Sequence, residues 1–214
     1  MSVNRAPLDP PRELSHLAPM TPHSRLYLLT PPAPGPTFAE ELAAALDAGD
    51  VACVQLRAKS ADDGRIVAVA GNLMEICASR GVALVVNDRP DLAQRAGADG
   101  VHLGQQDGDI RQARAVLGHD AIIGVTCHDS LDLAITAADQ GADYVAFGAF
   151  FDTATKEPRG HASVDLLYWW EELVEVPCVA IGGITALNCA PLVKAKTDFL
   201  AVSGAVWNHP GGPA

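Results

Sequence analysis

The sequence is short of positive charge. It carries 15 Lys and Arg against 26 Asp and Glu, a net charge of −11, with no basic cluster or stripe. Nucleic-acid binding draws on such a cluster, so no nucleic-acid partner is expected. The acidic balance reads as solubility. No stretch reaches the uncharged apolar length of a bilayer span, and the opening MSVNRAPLDPPRELSHLAPM has no apolar signal core. A membrane partner is therefore not expected either. The five cysteines (Cys53, Cys77, Cys127, Cys178 and Cys189) are odd in number and form no Cys-x-x-Cys pair. Scattered in apolar contexts, they read as buried reduced thiols, which points to the cytoplasm.

Several catalytic signatures are missing as well. There is no Gly-x-Ser-x-Gly elbow, no His-Glu-x-x-His or other zinc spacing, and no Gly-x-Gly-x-x-Gly after the first apolar run, where LLTPPAPGP stands instead. No Cys–His pair resembles an activated nucleophile. Lys156, between Thr155 and Glu157, lacks the apolar pocket that a Schiff-base lysine needs.

What is present is a rhythm. Residues 1–24 are proline-rich and aperiodic, an expected arm with a short helix near 11–17. Then come eight short apolar runs: RLYLLT, VACVQLR, VALVVN, DGVHL, AIIGV, DYVAFG, PCVAIGG and DFLAVSG. Helical stretches lie between them, such as 39–48, 62–80, 109–117, 131–140 and 164–173. Short, continuously apolar strands suit a parallel sheet covered on both faces, and strand–helix alternation implies βαβ units. Eight units, with the repeated starts Gly97-Ala98-Asp99, Gly141-Ala142-Asp143 and Lys196-Thr197-Asp198, predict an α/β fold of the (β/α)8 TIM-barrel type over 25–207. An open doubly wound sheet is the runner-up. The tail at 208–214, NHPGGPA, cannot continue a helix, so the last helix is expected to be short.

A barrel builds its active site at the carboxyl ends of its strands. The residues there are Thr30; Gln55, Arg57 and Lys59, which alternation places on one side; Asn87 and Asp88; His102 and Asp107; Thr126 and His128; then FFDTATK with Thr153, Thr155 and Lys156; Gly182 and Gly183; and Val202, Ser203 and Gly204. Arg57, Lys59 and Lys156 are cations in an acidic chain; if they converge, a phosphate or diphosphate would hold them together. If they do not, they are surface residues. Asp88 and Asp107 offer hard oxygen ligands suited to Mg2+ beside such an anion. They could instead cap the helices that follow, as Asp109 could. Gly182-Gly183 and Val202-Ser203-Gly204 fall at a barrel's usual phosphate pocket, where backbone N–H groups meet the anion. His102, between Val101 and Leu103, reads equally as a packed, hydrogen-bonded core residue.

Taken in order, these segments closely resemble the thiamine phosphate synthase family. The matching segments are QLRAK, VVNDRPDLA, VHLGQQD, GVTCH, FFDTATK, AIGGIT and AVSGAV, collinear from about residue 25 to 207. The resemblance implies a transferase of thiamine biosynthesis. It would join 4-amino-5-hydroxymethyl-2-methylpyrimidine diphosphate to 4-methyl-5-(2-phosphoethyl)thiazole and release diphosphate. It implies that Gln55, Arg57, Lys59, Asn87 and Lys156 hold the pyrimidine diphosphate, with Thr126 near the pyrimidine. It implies Mg2+ on Asp88 and Asp107, and the thiazole phosphate at Thr153, Thr155, Gly182, Gly183, Val202 and Ser203. Arg57, Lys59, Lys156 and Thr126 are the expected catalytic set. Three departures stand out: Thr126 where the family usually has serine, Asp152 where it usually has proline, and the short C-terminus. Two other readings stay open. A thiazole tautomerase of the same fold tends to lack the second aspartate and the Thr-x-Thr-Lys loop, both present here; a non-catalytic barrel binding a thiamine precursor is the other. The sequence does not fix an oligomeric state, and a homo-oligomer is admissible.

Overall fold

The computed structural model describes residues 24–59, 61–152 and 161–213. The expected arm lies almost wholly outside them, as does its short helix. Among the described residues, eight strands alternate with eight helices: β1 (Arg25–Leu29), α1 (Phe38–Ala48), β2 (Val51–Leu56), α2 (Asp63–Ala78), β3 (Ala83–Asn87), α3 (Pro90–Ala96), β4 (Gly100–Leu103), α4 (Ile110–Leu117), β5 (Ile122–His128), α5 (Leu131–Asp139), β6 (Tyr144–Phe147), α6 (Val164–Leu173), β7 (Cys178–Ile181), α7 (Ala190–Lys194), β8 (Phe199–Val202) and α8 (Gly204–Trp207). Every strand pairs in parallel with its neighbour, and β1 pairs with β8, with Arg25 opposite Phe199 and Leu28 opposite Val202. That last pairing closes the barrel and overturns the open-sheet alternative.

Each expected strand is found. Helix α3 is the one expected to follow Asp88, while α7 falls where no helical stretch stood out. Both are short and carry proline in the first turn, so they show little periodicity. Several helices start on side-chain caps. Asp62 accepts from the Arg65 N–H, Asp109 from Arg111 and Gln112, and Ser130 from Leu133. Each cap satisfies amides that the helix itself cannot.

Alternation along the strands makes two cores. Val54, Leu56, Leu84, Val86, Val101, Leu103, Ile123 and Val145 face outward and pack against the helices. Tyr27, Cys53, Ala83, Val85, Tyr144, Val179 and Phe199 fill the barrel interior. Small residues make room for large ones there. Gly124 lies opposite Tyr144 in the β5–β6 register, and a Cβ on it would stand 1.9 Å from the Tyr144 Cζ.

The amino-terminal rim is held by a repeated device. The Asp99 carboxylate accepts the Leu84 N–H, Asp143 accepts Ile123 N–H, and Asp198 accepts Cys178 N–H, at 2.7–2.8 Å. Each aspartate precedes an even-numbered strand and ties down the odd-numbered strand before it. Asp50, before β2, pairs with Arg25 at the start of β1 at 2.8 Å. The Gly-Ala-Asp repeat in the sequence is this clasp.

At the other end of the chain, α8 is one turn long, as expected. Trp207 anchors it, donating its indole N–H to the Leu29 carbonyl at 2.6 Å and meeting the Phe38 ring edge-on. All five cysteines are free, and four of them are buried. Burial pushes the Cys127 and Cys178 thiols up to about 12, which keeps them inert. Among the described residues, no helix is long and apolar enough to cross a membrane.

Candidate active site

The barrel mouth is assembled strand by strand. Cys53 belongs to the interior and Val54 and Leu56 to the outer core, so Gln55 points inward and is 3% exposed. Thr30, at the end of β1, accepts the Arg57 N–H at 3.0 Å, and its own N–H donates to the Gln55 carbonyl. This buried threonine fixes the backbone from which Arg57 leaves the sheet. Two residues on, the Lys59 ammonium lies 3.3 Å from the Asp88 carboxylate, reaching from β2 to the end of β3.

Asp88 does not cap α3. The residue at that cap is Arg89, and it makes no side-chain cap bond. Asp88 instead adopts a left-handed backbone (φ 65), and its N–H donates to the His102 carbonyl at 2.8 Å. Aspartate tolerates that conformation better than most residues. Its carboxyl meets Asp107 from the β4 loop. Burial pushes the Asp88 carboxyl above its usual range; Lys59 pulls it back, and the Asp107 charge pushes it up further. Gly104 is what lets Asp107 turn in, since a Cβ there would stand 2.3 Å from the Asp107 Oδ2.

Two touching carboxylates with one lysine form an acidic pocket that a cation would relieve. Among the described residues there is no cluster of three or more His, Cys, Asp or Glu. A pair of carboxylates suits Mg2+, which takes one or two from the protein and completes its octahedron with water and substrate oxygens. The donor set fits that metal and lacks the nitrogen and sulfur ligands of a zinc site.

Beyond this pocket, Thr126, two residues before the end of β5, is half-buried. Its hydroxyl is 2.8 Å from the His102 Nε2, and its carbonyl accepts from the Gln105 side chain at 2.6 Å. His102 is 7% exposed, and burial holds its imidazole down at about 4, so it is neutral. Its Nδ1 is 2.9 Å from the Tyr144 hydroxyl, which meets Tyr27 at 2.8 Å. His102 is thus a hydrogen-bonded interior residue, linked directly to Thr126 at the mouth.

On the opposite side, the segment after β6 runs along the end of β7. Phe150 N–H donates to the Ile181 carbonyl and Phe151 N–H to Gly182, both at 3.1 Å. Gly182 and Gly183 have left-handed backbones (φ 105 and 61) and take this segment at close range. A Cβ on Gly182 would stand 2.4 Å from the Ala149 Cβ, and one on Gly183 would stand 2.3 Å from the Asp152 carbonyl oxygen. Asn188 braces the turn, donating to the Gly183 carbonyl at 2.9 Å and accepting the Thr185 N–H at 2.7 Å. Val202 is buried, and Ser203 opens α8 without a side-chain cap bond. Thr153, Thr155 and Lys156 lie outside the described residues. Asp152, on their near flank, turns its carboxylate fully to solvent, 3.8 Å from His161 on the far flank.

Residues 26–206 match the family described as thiamine monophosphate synthase. The chain belongs to the thiamine monophosphate synthase family. Among its relatives is the thiamine-phosphate synthase of Rhodospirillum centenum, 61% identical over 191 residues that cover 89% of this chain and 92% of that one. The enzyme of the same name from Erythrobacter litoralis is 53% identical, covering 86% and 89%. Among solved structures, the thiamine phosphate pyrophosphorylase of Pyrococcus furiosus superposes with a TM-score of 0.76 at 31% identity, covering 87% and 88%.

In this synthase-family chain, the structure brings Lys59, Asp88 and Asp107 together and sets Gln55 and Thr126 on the inner wall. It joins Gly182 and Gly183 to the segment leading out of β6. The cap role weighed for Asp88 is excluded, while Asp109 is a cap. Gln105, Asn188 and the two tyrosines do not stand out in the sequence as site residues. Of these, Tyr144 had a legible signal in Gly124, whose lack of a side chain matches a bulky neighbour.

Proposed function

We propose that the chain couples 4-amino-5-hydroxymethyl-2-methylpyrimidine diphosphate with 4-methyl-5-(2-phosphoethyl)thiazole to give thiamine phosphate and diphosphate. It is a transferase of thiamine biosynthesis. The tautomerase alternative is not favoured, because the relatives at 53–61% identity, matched over nearly their whole length, are named as synthases. The observation that carries the chemical reading is the meeting of Lys59 with the touching carboxylates of Asp88 and Asp107. Such a cluster suits a metal-assisted anion and lacks the acid–base dyad of a hydrolase.

The reaction breaks the bond between the pyrimidine methylene carbon and the diphosphate oxygen, and the electron pair leaves with diphosphate. The thiazole nitrogen then forms the new C–N bond with its lone pair. Charge must be stabilised on the leaving group, and no proton need be abstracted. Asp88 and Asp107 would hold Mg2+, which would supply positive charge for the departing diphosphate. Arg57, Lys59 and Lys156 hold the diphosphate oxygens, while Gln55 and Asn87 orient the same substrate. Thr126 holds the pyrimidine. Thr153, Thr155, Gly182, Gly183, Val202 and Ser203 bind the thiazole phosphate, largely through backbone N–H groups. Bringing two bound substrates into line removes much of the entropic barrier. Four buried free thiols fit a cytoplasmic setting.

The test is direct. The protein, both substrates and Mg2+ are incubated, and thiamine phosphate and diphosphate are measured. Equal yields of the two products are expected. Failure to form either, with both substrates bound, overturns the reading.

A further inference from the structure

Four side chains form a continuous hydrogen-bonded chain up the barrel interior: Tyr27, Tyr144, His102 and Thr126, with separations of 2.8, 2.9 and 2.8 Å. The lower three are buried, and Thr126 opens to the mouth. The ring nitrogens of buried His102 meet two hydroxyls rather than a carboxylate, so the ring carries one proton, as does each of the three hydroxyl groups. There are four protons and three internal bonds, so one proton must leave the chain at an end.

The two ends are unequal. At the bottom, the neighbour of Tyr27 outside the chain is the Cys53 thiol, and sulfur is a weak acceptor. At the top, Thr126 faces water or ligand. Sending the spare proton downward would aim a buried O–H at sulfur alone, which forfeits most of a hydrogen bond. Sending it upward gives every internal proton an oxygen or nitrogen acceptor. The polarity is then fixed. Tyr27 donates to Tyr144, and Tyr144 donates to the His102 Nδ1. The His102 Nε2–H donates to the Thr126 Oγ1. The Thr126 O–H points out.

We propose that this chain presents Thr126 to the ligand as a hydrogen-bond donor and so selects an acceptor there, a pyridine-type ring nitrogen, with His102 as the positioning residue. The inference rests on the pyrimidine reading above and deepens it: of the aminopyrimidine's polar groups, a ring nitrogen meets Thr126, and the exocyclic amine, itself a donor, does not. Gly124 is part of the device, because it leaves the space that Tyr144 needs to reach His102.

Two measurements test it. In the ligand-free protein with 15N-labelled histidine, NMR reads the His102 tautomer, with His102→Gln assigning the signal. A protonated Nε2 and an unprotonated Nδ1 are expected; the opposite tautomer overturns the proposal whatever the protein binds. Calorimetry then compares the pyrimidine diphosphate with its two counterparts in which one or the other ring nitrogen is replaced by C–H. One counterpart is expected to bind wild type about tenfold more weakly, as loss of one hydrogen bond implies. Thr126→Val abolishes that discrimination, His102→Leu reduces it, and His102→Gln, whose amide N–H can replace Nε2–H, retains it. Equal weakening of all three ligands by His102→Leu means a purely structural histidine and overturns the proposal. If the pyrimidine diphosphate fails to bind wild type at all, the functional reading fails, and the tautomer still decides the polarity.

Discussion

The two rims of the barrel use the same amino acid for opposite purposes. At the amino-terminal rim, Asp99, Asp143 and Asp198 each accept a strand N–H, and Asp143 also pairs with Arg114 at 2.8 Å. Those carboxylates are satisfied by what lies beside them. At the carboxyl-terminal rim, Asp88 and Asp107 press against each other with Lys59 as a partial counter-charge. A carboxylate placed before a strand closes the fold; one placed after a strand is left with an unmet electrostatic demand. Unmet demand at a cleft marks function, and satisfied demand marks stability.

The sharpest way to break this contrast is to neutralise one aspartate at each rim. Asp107→Asn should lower coupling turnover about 100-fold or more, the scale of losing one preorganised electrostatic group. It should leave the melting temperature unchanged or slightly higher, since it removes repulsion from Asp88. Mg2+ should raise the melting temperature of wild type, and much less that of the variant. A melting temperature that falls by many degrees would assign Asp107 to the scaffold instead.

Between the rims, His102 sets a second scale. Buried neutral with a pKa of about 4, against an ordinary value of 6.5, it binds no proton in the fold where the unfolded chain does. Stability therefore rises with pH across that window: its contribution is complete above about 6.5 and falls away toward pH 4. The facing groups are Tyr144, Thr126 and, more distantly, Asp107, whose charge raises the imidazole pKa against the burial that lowers it. The shift corresponds to about 3 kcal/mol. Denaturant melts of wild type and His102→Gln from pH 4 to 7 should diverge in slope by about that amount, and parallel curves would show that the imidazole is not held neutral.

The third effect is smaller and belongs to the lower rim. Asp143→Ala leaves the Ile123 N–H without its acceptor and Arg114 without its carboxylate. An unsatisfied amide costs about 1–3 kcal/mol, and the half-exposed ion pair adds little. Chemical denaturation should report a loss of about 2 kcal/mol with turnover per folded molecule unchanged. A specific loss of turnover would erase the division between the rims.

How much of this was readable in advance follows the same division. The eight strands were legible because each is a short, uninterrupted apolar run, and the lower clasp showed as a repeated Gly-Ala-Asp. Gln55, Lys59, Asp88 and Asp107 were legible because charged and amide groups end apolar strands. Helix α7 was not, being too short for a helical period, and α3 showed only as a helix start after Asp88. The Tyr27–Tyr144–His102 chain was also hidden. Its members sit on separate strands, far apart in sequence, and tyrosine in an apolar run reads as core. Only the closed register brings them within 3 Å. Nor does the sequence distinguish a capping aspartate from one that does not cap: Asp88 and Asp109 each precede a helix, but Asp88 takes a left-handed turn one residue before the α3 cap, while Asp109 caps α4.

The smallest expected effect concerns the one departure that looks most damaging on paper. Asp152 places a negative charge next to the segment proposed to bind two anions. Its backbone carbonyl, though, lies against Gly183, while its carboxylate is fully exposed near His161. A charge in water is screened by solvent and salt within about 8–10 Å. Exposed single-charge changes usually move stability by less than about 0.5 kcal/mol. Asp152→Asn should therefore leave the melting temperature unchanged and alter the KM for either substrate less than about twofold, measured at 0.15 M salt. If KM for the thiazole phosphate drops severalfold, the carboxylate reaches the anion in the working enzyme, and the backbone alone does not set this rim. The expected result keeps the division intact: on the segment after β6, the main chain packs on the Gly182–Gly183 turn, and the side chain of Asp152 stays in water.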